Sequence, residues 1–480
     1  MRRRGFVALV LGVAISLAVG AGAPVAGAAV SRAAKAPAEW DPKILPIVQK
    51  VEALRGLKFE HPVKVEYLAE KAFQKRVAID QDTLSASDKK DAEQSEATLR
   101  AAGLVAGNFD ILKSTSDLQE SGVLAYYAPR TKRITVRGET LDVATRITLA
   151  HELTHALQDQ HFDLVAMQRA ARKVHASSAA QALIEGDAVR VQRAYEAQLS
   201  DADQAEYAKT QATQGADFSA SLASDAVPAS LVALFQTPYA LGPEMLDVVI
   251  AAKNTDAVDG LFRASPMSDL SFLDPRSLLR DQSFVAVKPP KLSAGEKQVG
   301  TRDVFGAFGL YLLLATGGDP VHALDVADGW GTDSMVTFTR DSTTCVRAAF
   351  VGSNAAASTT IHDALAAWTA LRTGSASVEA AGQTTTLTTC DPGAAAIDPG
   401  QTPVAALTVA TVRNALLAQA IGSVGEKTAS CVVHRALGDA SFQPLLAATV
   451  ADPNAQPGSD VLDRFQRSLG TIVTDCRNSV

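Results

Sequence analysis

His151-Glu152-Leu153-Thr154-His155 is the stretch on which the reading of this chain turns. Residues four apart on a helix sit about 40° around and 6 Å along its axis, so both imidazoles can reach one metal ion from the same side. Glu152, beside the first imidazole, can take a proton from a zinc-activated water and return it to a leaving amine. The opposite stripe, Leu149, Leu153, Ala156, Leu157 and Leu164, recurs at helical spacing and would bury the helix in a core. A helix fixed in that way is the support a metal site requires. Thr140 or Asp142 is the expected N-cap, and the helix should continue at least to Gln160.

Working outward, residues 122–128 and 132–137 read as two strands around Pro129-Arg130-Thr131, a hairpin just ahead of the helix. Its edge strand would lie along a cleft, where an extended peptide can add by backbone pairing. Downstream, no Asp or Glu occurs from 164 to 184; the first carboxylates are Glu185 and Asp187, in Ala182-Leu183-Ile184-Glu185-Gly186-Asp187-Ala188. A carboxylate with an apolar run before it and Gly after it suits an inward-facing third ligand. His161 competes, because it stands ten residues after His151, the spacing of the third His in the metzincin pattern. That pattern needs a Gly at 158, where Gln158 stands, and on a continuing helix His161 lies about 15 Å beyond His151. His175, in a basic, Ala-rich helix, is the third candidate. An oxyanion donor is sought among Tyr239, Tyr126 and Tyr127, and Trp330, flanked by two Gly, either lines a cleft or packs.

HELTHALQDQHFDL followed about 30 residues later by EGDA resembles the gluzincin-type (HExxH…E) zinc metallopeptidases, and more closely exported bacterial zincin-like proteins that carry these blocks. That resemblance, covering about residues 40–352, implies His151, His155 and Glu185 as Zn2+ ligands, Glu152 as general base and acid, and a zincin-like fold. Gluzincins place an Asp four residues after the Glu ligand, whereas Val189 holds that position here. Asp187 or Asp159 is the expected orienter of a ligand His instead.

The rest of the chain gives the setting. Arg2, Arg3 and Arg4 precede an apolar run from Phe6 to about Val19, and Ala26-Gly27-Ala28 offers a signal-peptidase site, so 1–28 reads as a signal peptide. Arg3-Arg4-Gly5-Phe6 also suits a twin-arginine signal. The four Cys, at 345, 390, 431 and 476, have no CxxC spacing and read as disulfides of a secreted protein. Two sequential pairs enclose loops of equal span on either side of a Pro- and Gly-rich stretch at 391–403, which favours Cys345–Cys390 and Cys431–Cys476.

With 480 residues, 47% hydrophobic and 20% charged, the chain can bury large cores. Its 45 Lys and Arg against 52 Asp and Glu, without a basic cluster past the leader, argue against nucleic acid as partner. The longest apolar stretch after the leader is taken as 304–315, too short to span a bilayer, so no stable membrane span is expected.

The expected architecture is α+β and predominantly helical: a zincin-like metallopeptidase domain over 38–300, a small α+β module over 301–400, and a disulfide-tied helical C-terminal module over 404–480. Two functions follow, a secreted zinc metalloendopeptidase acting on a peptide or protein substrate, or a catalytically inactive zincin-like envelope binding or structural protein. The presence of Glu152 favours the first.

Overall fold

Asp142 supplies the acceptor that a helix start needs: its carboxylate takes the Thr145 amide at 2.8 Å and opens the helix Val143–Phe162. The helix ends at Asp163, whose left-handed backbone (φ 49°) turns the chain and whose side chain caps the next helix, Leu164–Lys173. In the computed structural model the described residues are 36–77, 86–223, 227–264, 267–280, 287–372, 375–452 and 458–479. The leader expected at 1–28 lies outside them.

The hairpin ahead of the motif helix is present as β2 (Ala125–Ala128) and β3 (Arg133–Arg137), with β1 (Lys64–Leu68) parallel to β3 on its other side. The order β1-β3-β2 leaves β2 at an edge. Ala125, Tyr127, Ile134 and Val136 turn inward, as alternation along a half-buried sheet requires, and meet Val48 and Val51 from the first helix, Leu45–Arg55, and Ile44 just before it, together with Leu149, Leu153 and Leu157. Of the stripe read from the sequence, Leu149, Leu153, Ala156 and Leu157 lie in this core, while Leu164 opens the next helix and packs elsewhere, and the motif helix is buried on its other sides as well.

A second sheet, β4 (Lys297–Asp303), β5 (Trp330–Arg340), β6 (Thr343–Gly352), β7 (Ala376–Ala381) and β8 (Thr384–Cys390), is antiparallel throughout with order β4-β5-β6-β8-β7. Cys345 and Cys390 stand opposite each other on β6 and β8 and are bonded. Cys431 and Cys476 tie the helix Glu426–Leu437 to the last helix, Ser459–Ser479. All four cysteines are thus in disulfides, which fits an extracytoplasmic location. The described residues are α+β and predominantly helical, with two sheets.

One apolar core runs from Leu183 and Met245 through Leu313, Phe350 and Leu387 to Leu407 and Leu417, so packing is continuous across positions 300 and 400. Among the described residues the helix Thr402–Val424, rather than 304–315, is the one that meets the length and apolarity of a bilayer span. Its 23 residues include an 18-residue stretch of mean hydropathy 1.5, long and apolar enough to cross a membrane. In this fold Ala406, Leu407, Ala410 and Leu417 bury in the core, and Arg413 and Asn414, also buried, donate to the carbonyls of Leu273 and Phe272. Thr408, Thr411, Arg413 and Asn414 interrupt this run, whereas 304–315 is unbroken.

Candidate metal centre

His151 and His155 project from one face of the motif helix toward a second helix, Ser177–Glu196, which brings Glu185 to them. Glu185 Oε2 lies 3.2 Å from the Nε2 atom of each histidine, and the two Nε2 atoms are 3.0 Å apart. The second carboxylate oxygen accepts from Gln181 Nε2 at 2.7 Å, one turn earlier on the same helix. That helix approaches closely because it crosses the helix Ala229–Ala252 backbone to backbone, Gly186 against Gly242.

Behind the histidines stand two glutamines. Gln192 Oε1 is 3.0 Å from His151 Nδ1, and Gln158 Oε1 is 3.0 Å from His155 Nδ1. Gln192 in turn donates to Glu196, while Gln158 donates to the Ile184 carbonyl and to Asp187. Asp187 is also ion-paired with Arg55 at 2.7 Å, and Arg55 reaches Asp259. The expectation that Asp187 or Asp159 would orient a histidine is corrected here. Asp187 acts one residue further back, through Gln158, and Asp159 accepts from the Tyr127 hydroxyl and Lys132. A signal for the glutamines was present in the polar stripe Gln181, Glu185, Gln192, which recurs at four and seven residues along an otherwise apolar helix face.

Glu152 is buried beside His151, and its Oε2 accepts from the Tyr127 backbone N–H at 2.6 Å. The edge strand β2 therefore faces the site. Of the three tyrosines, Tyr239 reaches it: its ring centroid is 6.4 Å from that of His151 and its hydroxyl bonds to Glu185. Burial, then the charges of Glu185 and Glu152, push its hydroxyl well above the ordinary tyrosine range, so it stays a donor. Tyr127 turns its hydroxyl to Asp159, and Tyr126 packs near Phe73. Trp330 packs, with its indole N–H on Asp333. His161 is on the surface against the Lys58 carbonyl, and His175 pairs with Asp303, so neither joins the cluster.

The residues fit a small divalent cation. Donors about 2.1 Å from a tetrahedral ion stand roughly 3.4 Å apart, close to the 3.0–3.2 Å separations here, and two imidazoles with one carboxylate suit Zn2+. Burial alone would lower His155 and raise Glu185. Their mutual attraction outweighs it, holding His155 up at about 9 and Glu185 down at about 2. Among the described residues His151, His155 and Glu185 form the one His/Cys/Asp/Glu group compact enough for a metal.

No family model matches the chain, and neither a curated protein nor a solved structure matches it. The functional reading therefore rests on the site itself.

Proposed function

We propose that the chain is an exported zinc metallopeptidase of the gluzincin type, with a zincin-like catalytic domain over 38–300 and Zn2+ held by His151, His155 and Glu185. The observation that carries this is the convergence of those three buried side chains with Glu152 beside them. Zn2+, when bound, supplies the Lewis acidity that makes water nucleophilic near neutral pH and polarises a peptide carbonyl. Glu152 accepts the proton of the attacking water and passes it to the leaving amine, its carboxylate aimed by the Tyr127 N–H. Tyr239 donates its hydroxyl to the developing oxyanion. The outer edge of β2 offers main-chain groups to an extended peptide or protein substrate.

A second reading, a catalytically inactive zincin-like envelope binding or structural protein, is favoured by one observation. The site is closed over: His151 and Glu185 are 0% exposed, Glu152 1%, His155 3% and Tyr239 6%. The test is the secreted protein with equimolar Zn2+ on a denatured protein and a peptide library. Cleavage abolished by a chelator and by Glu152→Gln supports the peptidase. Stoichiometric zinc without cleavage of either substrate supports the binding protein.

A further inference from the structure

Each glutamine behind the histidines has its amide orientation set by a carboxylate, Asp187 for Gln158 and Glu196 for Gln192, which also bonds the Tyr207 hydroxyl. Gln158 Nε2 donates to the Ile184 carbonyl oxygen at 3.0 Å and the Asp187 carboxylate at 2.9 Å. Gln192 Nε2 donates to the Glu196 carboxylate at 2.9 Å. What each turns toward its imidazole is therefore the amide oxygen, which carries no hydrogen. A ring nitrogen held 3.0 Å from such an oxygen in a buried site must supply the hydrogen itself, so both histidines carry it on Nδ1.

We propose that Gln158 and Gln192 are positioning residues that hold Nδ1–H on both imidazoles and so dedicate both Nε2 atoms to a divalent cation, with Asp187 and Arg55 supporting the Gln158 arm. This deepens the metal reading above and rests on it. The arrangement also keeps charge away from the rings. A carboxylate placed directly on Nδ1 would add a negative charge beside each ligand, whereas here the carboxylates stand one amide further back and Asp187 is already answered by Arg55. Glu185 and Glu152 are left as the two negative groups facing the cation, a match for a doubly charged ion.

The experiment uses the full chain with 15N-labelled histidine. Metal-free, it should give two slowly exchanging Nδ1–H resonances, and adding Zn2+ should shift the Nε2 signals while both Nδ1–H signals persist. Gln158→Met and Gln192→Met should each lose the protected signal of their own ring and weaken Zn2+ binding about 10- to 100-fold. The double exchange Q192E/E196Q, which keeps an acceptor opposite His151 Nδ1 and a donor behind it, should restore both. Circular dichroism checks that each variant is folded; should Gln158→Met fail to fold, Gln192→Met on the other arm carries the same test.

A ring without hydrogen on Nδ1, zinc bound through Nδ1, or Met variants that hold Zn2+ as tightly as the wild type would overturn the proposal. Intact Nδ1–H signals in a protein that takes up no Zn2+ would overturn the metal reading instead, and leave the tautomers as assigned.

Discussion

Gly186 and Gly242 touch backbone to backbone: a methyl group on Gly186 would stand 2.6 Å from the Gly242 carbonyl oxygen and 2.8 Å from its Cα. Glu185 and Tyr239 are their near neighbours, so this contact sets how far apart the two helices hold those side chains. Gly186→Ala or Gly242→Ala should cost roughly 1–3 kcal/mol in chemical denaturation and weaken zinc binding by an amount that isothermal titration can read. Gly260, in the helix Asp256–Arg263 with nothing within 4 Å of an added Cβ, is the control; its replacement by Ala should be neutral or stabilising.

Glu152→Gln should leave zinc affinity within a few-fold of wild type and reduce peptide hydrolysis by about 10²–10⁴. The amide can no longer take a proton, although its oxygen still accepts from Tyr127 N–H. Unchanged turnover in this variant would remove Glu152 from the role of base.

Glu185→Ala should cost zinc affinity severely, while His161→Ala should leave it unchanged. The first removes an oxygen 3.2 Å from both ligand nitrogens, the second a surface ring bonded to the Lys58 carbonyl. Competition titration with a zinc chelator decides it; a loss on His161→Ala alone would contradict the site.

Away from the proposed metal site, two largely buried carboxyls cap helix starts beside each other. Asp269 accepts from the Ala179 amide in the first turn of the Glu185 helix, and Asp333 accepts from Phe305 and Gly306 ahead of the helix Gly306–Ala315. Burial, then the charges of Asp333 and Asp303, push Asp269 up to about 7; burial, resisted by those amides and the Trp330 N–H, pushes Asp333 up to about 6. A raised carboxyl pKa means that the folded protein keeps protons which the unfolded chain releases near pH 4. These groups therefore cost nothing below about pH 4, and their destabilisation grows as pH rises and is full above about pH 7. Asp269→Asn should raise the melting midpoint by a few degrees at pH 8 and leave it nearly unchanged at pH 4.

Arg372 has no carboxylate partner among the described residues, and burial alone lowers it to about 10. It stacks on Trp368 at 3.8 Å and donates to Thr316 Oγ1 and the Trp368 carbonyl, with its guanidinium over Gly103. These positions close three helices, Ala86–Ala101, Gly306–Ala315 and Ala355–Ala370, so three negative dipole ends meet one cation. Arg372→Met should destabilise by about 1–3 kcal/mol, and Arg372→Lys should not recover it, since an ammonium cannot stack in plane.

Much of the site was legible because its chemistry is local. The HExxH spacing needs only helical geometry, and Asp142 is the cap the structure uses. Glu185 stood out because acidic residues are missing before it. The orienting residues were not legible, since Gln158 and Gln192 gain meaning only when two distant helices meet, and a glutamine carries no charge to draw the eye. The strands β4 and β7 escaped because both lie at sheet edges and are polar or small, without the alternation that burial imposes on β5, β6 and β8. The helices Glu70–Val77, Ile111–Gly122 and Asp201–Ala223 escaped likewise, being largely polar segments that derive their place from neighbours.

Arg55 gives this molecule a completeness check. It closes the first helix, yet its partners are Asp187 and Asp259, so the prop behind Gln158 needs three segments spread over two hundred positions of chain. A fragment clipped between residues 196 and 259 would still carry the three proposed metal ligands, with Gln158, Asp187 and Arg55 behind them, and lack Asp259, which holds the other arm of Arg55. If the proposed site holds its ion, metal retention reports whether the whole unit has assembled, and a trimmed copy should bind Zn2+ more weakly than the full chain.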